Sequence, residues 1–195
     1  YRDEVDITAA EFYERLPNCT TVPVTSQPSA GDFATVYREL IDQGATAIIS
    51  VHLSSGISGT VSSAHAAAEE LDGVPVEIID TQTASVAHML GVEAGARALA
   101  SGAGFEEAAA VIRGVLEAQR IVFTVDTLEY LRKGGRIGGA AALLGSLLQF
   151  KPLLYFREGE IDALERVRTS KRALKRTVEL MGEWLGVEEP VHAVA

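Results

Sequence analysis

The sequence predicts an α/β protein in which a parallel sheet is flanked by helices and is followed by the start of a smaller α+β domain. Three segments of strand length, 46–51, 76–79 and 121–125, consist mainly of apolar or β-branched residues, as strands covered on both faces do. Alanine-rich segments of helix length lie between them. Strands that alternate with helices along a chain favour a parallel sheet with helices on both faces.

Two helix starts in the first 150 residues are predicted from their caps. Thr8 is followed three residues later by Glu11, which is the spacing of a capping box, and Ser29 and Asp32 repeat this spacing. The predicted helices cover 33–40, 62–71, 85–100, 105–118 and 127–131, and a further short strand is predicted at 21–24. These helices supply the layers on the two faces of the sheet.

From Lys151 the pattern changes to that of an antiparallel hairpin. Two strand-like runs at 152–156 and 161–168 are joined by a charged connection at 157–160 that contains glycine. A basic helix follows at 170–185. Ser170 is the expected cap of this helix, and a strand begins near residue 190. We therefore expect an α/β domain at 1–150 and the beginning of a second, incomplete domain at 151–195. The abrupt first and last segments predict that the sequence is a portion of a longer protein.

Composition excludes several classes of protein. The 195 residues are 47% hydrophobic and 23% charged, which suits a folded domain rather than a disordered chain. Cys19 is the single cysteine, so we expect neither a disulfide framework nor a metal site. The apolar run 138–148 is too short and too rich in glycine to span a bilayer, and residues 1–15 lack the apolar core of a signal peptide. These observations predict a cytoplasmic protein without an integral membrane segment.

Charge is distributed unevenly along the chain. Residues 1–119 hold 5 basic and 17 acidic side chains, a net of −12, whereas residues 120–195 hold 12 basic and 10 acidic side chains, a net of +2. An acidic body repels polyphosphate, which argues against nucleic acid as a partner. The basic excess between Lys151 and Arg176 still suits an anionic ligand or an acidic partner protein.

The sharpest feature is a loop rich in hydroxyl groups that follows the strand predicted at 46–51. Its residues are Ser54, Ser55, Gly56, Ile57, Ser58, Gly59 and Thr60. Ligands of open α/β sheets bind beyond the carboxyl ends of the strands, and the start of a helix offers unpaired N–H groups. The four hydroxyls favour a site for a carboxylate or a phosphate; a plain cap with a flexible turn is the alternative interpretation.

A second loop has the same arrangement. Thr25 and Ser26 follow the strand predicted at 21–24, and Ser29 is expected to act as the cap of the next helix. Thr25 and Ser26 are then free to face the same crevice as the first loop. His52, at the end of a buried strand, is expected to make a structural hydrogen bond rather than to act as a base.

The known motifs of catalysis and nucleotide binding are not found. The glycines in 132–139 follow a helical stretch instead of a strand, so a tight turn between helices is favoured over a dinucleotide-binding fingerprint. Segment 56–59 does not match the nucleophile elbow of hydrolases, and no base and acid are evident beside Ser55 or Ser58. We therefore predict a non-catalytic protein with no cofactor and no ATP site of its own.

Five motifs follow one another along the chain: TSQPS at 25–29, SSGISGT at 54–60, LRKGGRI at 131–137, KPLL at 151–154 and RVRT at 166–169. Together they resemble the DegV family of bacterial fatty-acid-binding proteins. The resemblance implies a two-domain fold that encloses one long-chain fatty acid, with the carboxylate at Thr25, Ser26 and the 54–60 loop and the acyl chain in an apolar tunnel. It also implies a separate fatty acid kinase that supplies ATP and makes acyl phosphate for phospholipid synthesis, with Arg168 at the head group or facing this partner.

The residues at 140–150 bear on the class of ligand. Apolar side chains suited to a long tunnel are Leu143, Leu144, Leu147, Leu148 and Phe150, and ordinary core packing is the alternative interpretation. A sugar-phosphate-binding enzyme or sensor domain, with the serine-rich loop as its phosphate site, predicts polar side chains at these positions instead. The leucines therefore favour the lipid.

Overall fold

The computed structural model describes residues 1–145 and 150–185, which form two sheets and their flanking helices. The α-helices are α1 (Ala9–Arg15), α2 (Ala30–Asp42), α3 (Thr60–Glu69), α4 (Ser85–Ala100), α5 (Phe105–Ala118), α6 (Glu129–Lys133) and α7 (Ser170–Trp184). The strands are β1 (Ile48–His52), β2 (Val76–Asp80), β3 (Phe123–Thr124), β4 (Lys151–Arg157) and β5 (Glu160–Val167). Short 3-10 helices cover Leu16–Asn18 and Gly138–Leu143.

The first sheet pairs β1 and β2 in parallel, from Ile48 opposite Val76 to His52 opposite Asp80. Successive side chains of a strand point to opposite faces. Ile48 accordingly packs among residues of α2 and α3, whereas Ile79 packs among residues of α5 on the other face. The prediction of an α/β fold with a parallel sheet covered on both faces is therefore confirmed.

The second sheet is antiparallel, in the order β3-β4-β5, and it too is covered on both faces. Leu154 and Ile161 lie in a cluster with Leu128, Ala140 and Leu143, which we call the central cluster. On the other face, α7 covers the sheet with the side chains of Ala173 and Leu180. The predicted hairpin and basic helix are thus confirmed.

The strand predicted at 121–125 was placed in the wrong sheet. Only Phe123 and Thr124 are extended, and they pair antiparallel with β4. The Thr124 hydroxyl donates to the carbonyl of Pro152, and the Phe123 ring packs against Phe156. These contacts with a strand that comes later in the chain decide the pairing.

The central cluster joins residues on both sides of the predicted domain boundary between 150 and 151. Leu128, Ala140 and Leu143 precede the boundary, and Leu154 and Ile161 follow it. The division of the chain into domains 1–150 and 151–195 stays a prediction.

Other local predictions differ from the structure in smaller ways. Residues 21–24 form no strand: Val24 is 90% exposed, and Pro23 has no N–H to contribute to a sheet. The cap of α7 is Thr169, not Ser170, because the Thr169 hydroxyl accepts from the N–H of Arg172. The strand predicted from residue 190 lies outside the described residues.

A candidate anion site at two hydroxyl loops

The first half of the 54–60 loop, residues 54–56, is hydrogen-bonded to and packed against the hairpin between β4 and β5. Ser54 is fully buried, and its hydroxyl donates to the carbonyl of Gly159 over 2.6 Å and accepts from the N–H of Gly56 over 3.1 Å. Its N–H donates to the carbonyl of Thr83. A Cβ at Gly56 would lie 2.6 Å from the carbonyl oxygen of Gly159, so glycine is needed for this close approach. Ser54 and Gly56 therefore hold the loop in place.

Ser55 is bonded to a carboxylate of the protein itself. Its hydroxyl donates to Asp80 Oδ2 over 2.5 Å and its N–H to Asp80 Oδ1 over 3.2 Å. The N–H of Gln82 also donates to Asp80 Oδ1. An anionic ligand at Ser55 would have to displace Asp80 or lie against its negative charge. This geometry disfavours Ser55 as a group that binds a carboxylate.

The second half of the loop, residues 58–60, leads into the start of α3. The hydroxyls of Ser58 and Thr60 lie 2.7 Å apart, and Ser58 Oγ also accepts from the N–H of Thr60. Ser58 is half-buried, and Gly59 is the N-cap of α3 without a side-chain cap of its own. One hydroxyl of the pair donates to the other, which leaves the second O–H free to donate to a ligand. The adjacent helix start favours negative charge at this position.

The 25–29 loop lies against this second half. A Cβ at Gly59 would lie 2.7 Å from Gln27 Nε2, so the Gln27 side chain covers the helix start. Thr25 and Ser26 are exposed, and their hydroxyls form no hydrogen bond within the described residues. Ser29 caps α2 in a reciprocal arrangement with Asp32, as predicted. The two loops are therefore neighbours, and Gln27 is a contact that the sequence reasoning missed.

Arg136 brings a positive charge to the same place. Its Nε donates to the carbonyl of Ile57 over 3.0 Å, and its Nη1 donates to the carbonyl of Gly134. The sequence reasoning described 132–139 as a tight turn, which is confirmed by the end of α6 and the 3-10 helix that follows. It did not single out Arg136, because the partner carbonyl lies 79 positions earlier. The repeated glycines beside an arginine were the available signal.

The residues predicted for the acyl tunnel are in different surroundings. Leu143 is buried in the central cluster, Leu144 is 41% exposed, and Phe150 lies under the guanidinium of Arg166 at 5.9 Å. Leu147 and Leu148 lie outside the described residues. Arg168, predicted at the head group or the partner surface, is exposed and makes no ion pair with any other described residue. The assignment of a tunnel stays a prediction.

A cavity of about 690 Å³ lies between the first sheet with α5 and the hairpin of the second sheet. Its lining includes Ile79, Asp80, Leu116, Tyr155, Phe156 and Trp184. The cavity borders Asp80 and Gly159, which hold the first half of the 54–60 loop, but Thr25, Ser58 and Thr60 do not line it. It is therefore separate from the hydroxyl pair.

No helix within residues 1–145 and 150–185 is both long enough and apolar enough to cross a membrane. No group of three or more histidine, cysteine and acidic side chains in the same ranges is placed to hold a metal ion.

The family model described as "Uncharacterised protein, DegV family" matches residues 1–193 of this chain. The chain is also 40% identical over 182 residues to a DegV domain-containing protein of Listeria innocua, a match that covers 93% of this chain and 64% of the relative. The chain therefore belongs to the DegV family, as its five motifs predict.

Solved structures of similar proteins share the fold. A DegV family protein from Thermus thermophilus, described as fatty acid binding, superposes with a TM-score of 0.87 at 40% identity and covers 94% of this chain and 65% of that one. A stearic acid-binding protein from Eubacterium ventriosum superposes with a TM-score of 0.79 at 31% identity, with coverage of 94% and 64%. This chain spans 64–65% of the length of these three relatives.

Proposed function

We propose that this protein binds one long-chain fatty acid and presents it, in the cytoplasm, to a separate fatty acid kinase. The observation that carries the proposal is the pair of adjoining hydroxyl loops in a fold shared with a fatty-acid-binding DegV structure and with a stearic acid-binding structure. The protein itself is non-catalytic in this proposal, and the partner kinase supplies ATP and transfers the phosphoryl group.

The carboxylate is assigned to the second half of the 54–60 loop. Ser58 and Thr60 offer a free O–H at the start of α3, and the unbonded hydroxyls of Thr25 and Ser26 lie in the neighbouring loop. Arg136 adds a cation beside Ile57. Hydrogen bonds to a charged group are stronger than those between neutral groups, which suits a small set of donors converging on one carboxylate.

The acyl chain is assigned to the side of the loop where Ile57 points. Ile57 packs against the central cluster, which also contains Leu143. A fatty acid held at Ser58 therefore has an apolar region next to its first methylenes. Leu143, Leu144, Leu147, Leu148 and Phe150 remain our candidates for the wall of the tunnel.

Denaturing extraction of the purified protein, followed by mass spectrometry of the released small molecules, tests the binding proposal. We expect a C14–C18 fatty acid in near-stoichiometric amount, because an acyl chain enclosed by protein dissociates slowly in water. Folded protein that releases no lipid, and that binds a sugar phosphate instead, would support the phosphosugar alternative.

Presentation to the kinase is tested separately by Arg168→Glu. Reversing an exposed, unpaired cation is expected to reduce acyl-phosphate formation by a bacterial fatty acid kinase, while lipid content and melting temperature stay near those of the unmodified protein. Arg15→Glu, at an exposed arginine of α1 that likewise makes no ion pair within the described residues, is the matched control. Normal acyl-phosphate formation by the Arg168 variant contradicts the role of this residue.

A further inference from the structure

A chain of hydrogen bonds runs from α2 to the end of β1, beneath the two loops. The Tyr37 hydroxyl lies 2.7 Å from Ser50 Oγ, and Ser50 Oγ lies 2.7 Å from His52 Nε2. Tyr37 is 2% exposed and Ser50 is 8% exposed. Polar groups this deeply buried are held by their hydrogen bonds, because water cannot replace a lost partner.

The direction in which these hydrogen bonds are donated fixes the tautomer of His52. Tyr37 has no other hydrogen-bond acceptor within the described residues, so its O–H donates to Ser50. Ser50 then donates its own hydrogen to His52 Nε2, which must be unprotonated to accept it. His52 is therefore a neutral imidazole with its proton on Nδ1. Burial raises the pKa of Tyr37, which is consistent with its role as a donor.

His52 also contacts the structure that carries the other loop. Its ring packs edge-to-face on Phe33, with the ring centroids 5.1 Å apart. Phe33 lies in the first turn of α2, and its N–H donates to the carbonyl of Ser29, the last residue of the 25–29 loop. On the other side, Ser54 begins the 54–60 loop two residues after His52.

We propose that His52 is a positioning residue that couples the two hydroxyl loops, so that Thr25 and Ser58 are held at a fixed separation for one carboxylate. This inference rests on the proposed function and adds to it a residue that does not touch the ligand. The coupling depends on the acceptor at Nε2, which holds the side chain of residue 52 in place against Phe33.

Protonation of His52 breaks this arrangement. A proton on Nε2 turns the ring into a donor to Ser50 Oγ, so the hydrogen that Ser50 donated to Nε2 loses its acceptor. The titratable groups linked to His52 by hydrogen bonds, by charge or by strand pairing are Tyr37 of α2, His65 of α3, His88 of α4 and Asp80 of β2. The Nε2 atom of His88 lies 3.2 Å from the carbonyl of Val51.

The sign of the pH dependence follows from burial. Burial, together with His88 and His65, lowers the pKa of His52 in the folded protein below its ordinary value. The unfolded chain takes up this proton near pH 6.5, whereas the folded protein resists it. The stability that depends on neutral His52 is therefore complete above about pH 6.5 and is lost as the pH falls toward the lowered pKa.

The test compares His52→Leu, which removes the acceptor, with His52→Gln, whose amide oxygen can accept from Ser50. The probe is palmitate, titrated into delipidated protein at pH 7.5. We expect about a tenfold weaker Kd for H52L and a Kd within about twofold of the unmodified protein for H52Q. Between pH 7.5 and pH 5, the melting temperature of H52Q should fall by about 3 °C less than that of the unmodified protein. His65→Gln, at an exposed histidine of α3 that helps to lower the pKa of His52, should change the pH profile less than H52Q does.

Amide hydrogen exchange separates this inference from the proposed function. In H52L the amides of residues 29–33 should exchange faster, although the substitution lies in β1, and this readout needs no ligand. Unchanged exchange there, an unchanged Kd for H52L, or an acid loss of stability in H52Q equal to that of the unmodified protein would each overturn the coupling. If the unmodified protein takes up no palmitate, the fatty acid proposal fails and the exchange result alone decides the coupling.

Discussion

The two halves of the 54–60 loop each combine two hydroxyl-bearing residues with one glycine, but they have different roles. Ser54 and Ser55 are bonded to Gly159 and Asp80, which lie in other elements of the fold. Within the described residues, the hydroxyls of Ser58 and Thr60 are bonded only to each other and to the N–H of Thr60 at the start of α3. A hydroxyl with a fixed partner in the fold stabilises the loop, whereas a hydroxyl pair at a free helix end keeps a donor for a ligand.

This difference shows how one short loop can be held rigidly by the fold and still offer a hydrogen-bond donor to a ligand. The first half joins β1 to the hairpin of the second sheet over a separation of 105 residues. The second half is thereby held at a fixed place beside Gln27 and Arg136. Donors that are already in place bind more tightly, because less conformational freedom is lost on binding.

The strongest test of the first half is Gly56→Val. The added side chain would meet the backbone of Gly159 at 2.6 Å, a contact that no rotamer of valine relieves. We expect a loss of about 3 kcal/mol in the free energy of unfolding, measured by chemical denaturation.

Gly114→Val provides the matched control for that substitution. Gly114 lies in α5 and has no atom within 4 Å of its added Cβ, and valine is a slightly better helix former than glycine. Its stability should stay level or rise slightly. A Gly56 variant as stable as this control would mean that the loop and the hairpin are not packed together as described.

Sequence alone predicts the parts of this molecule that depend on neighbouring residues. The capping boxes at Thr8 and Ser29 are confirmed because both partners lie within four positions of each other. The limits of α4 and α5 are confirmed for the same reason, since alanine content and the flanking glycines define them locally.

The remaining features depend on contacts between distant parts of the chain. The strand predicted at 21–24 has suitable residues but no pairing partner among the described residues, and the segment at 121–125 pairs with β4 instead of joining the parallel sheet. The same limitation applies to the serines. Ser54 and Ser58 are equivalent in sequence, and only the position of Gly159 distinguishes them.

The smallest expected effects come from substituting Ser54 and Ser58. One substitution should lower mainly the stability, and the other mainly the affinity for palmitate. Ser54→Ala leaves the Gly159 carbonyl and the Gly56 N–H without their partner, so the free energy of unfolding should fall by about 2 kcal/mol. Palmitate affinity should stay within about threefold, because the Ser54 hydroxyl is not available to a ligand. Calorimetric titration and denaturation on the same samples measure both quantities.

Ser58→Ala should have the opposite profile. Loss of one hydrogen bond to a charged carboxylate should weaken the palmitate Kd about tenfold, which corresponds to about 1.4 kcal/mol. Stability should fall by only about 0.5 kcal/mol, because Ser58 is half-buried and bonds a single turn at the start of α3. Ser55→Ala is the control, with a Kd within about twofold of the unmodified protein, since its hydroxyl already donates to Asp80. If Ser55→Ala weakens palmitate binding and Ser58→Ala does not, the head group lies at the Asp80 side of the loop, and Asp80 must move away when the ligand enters.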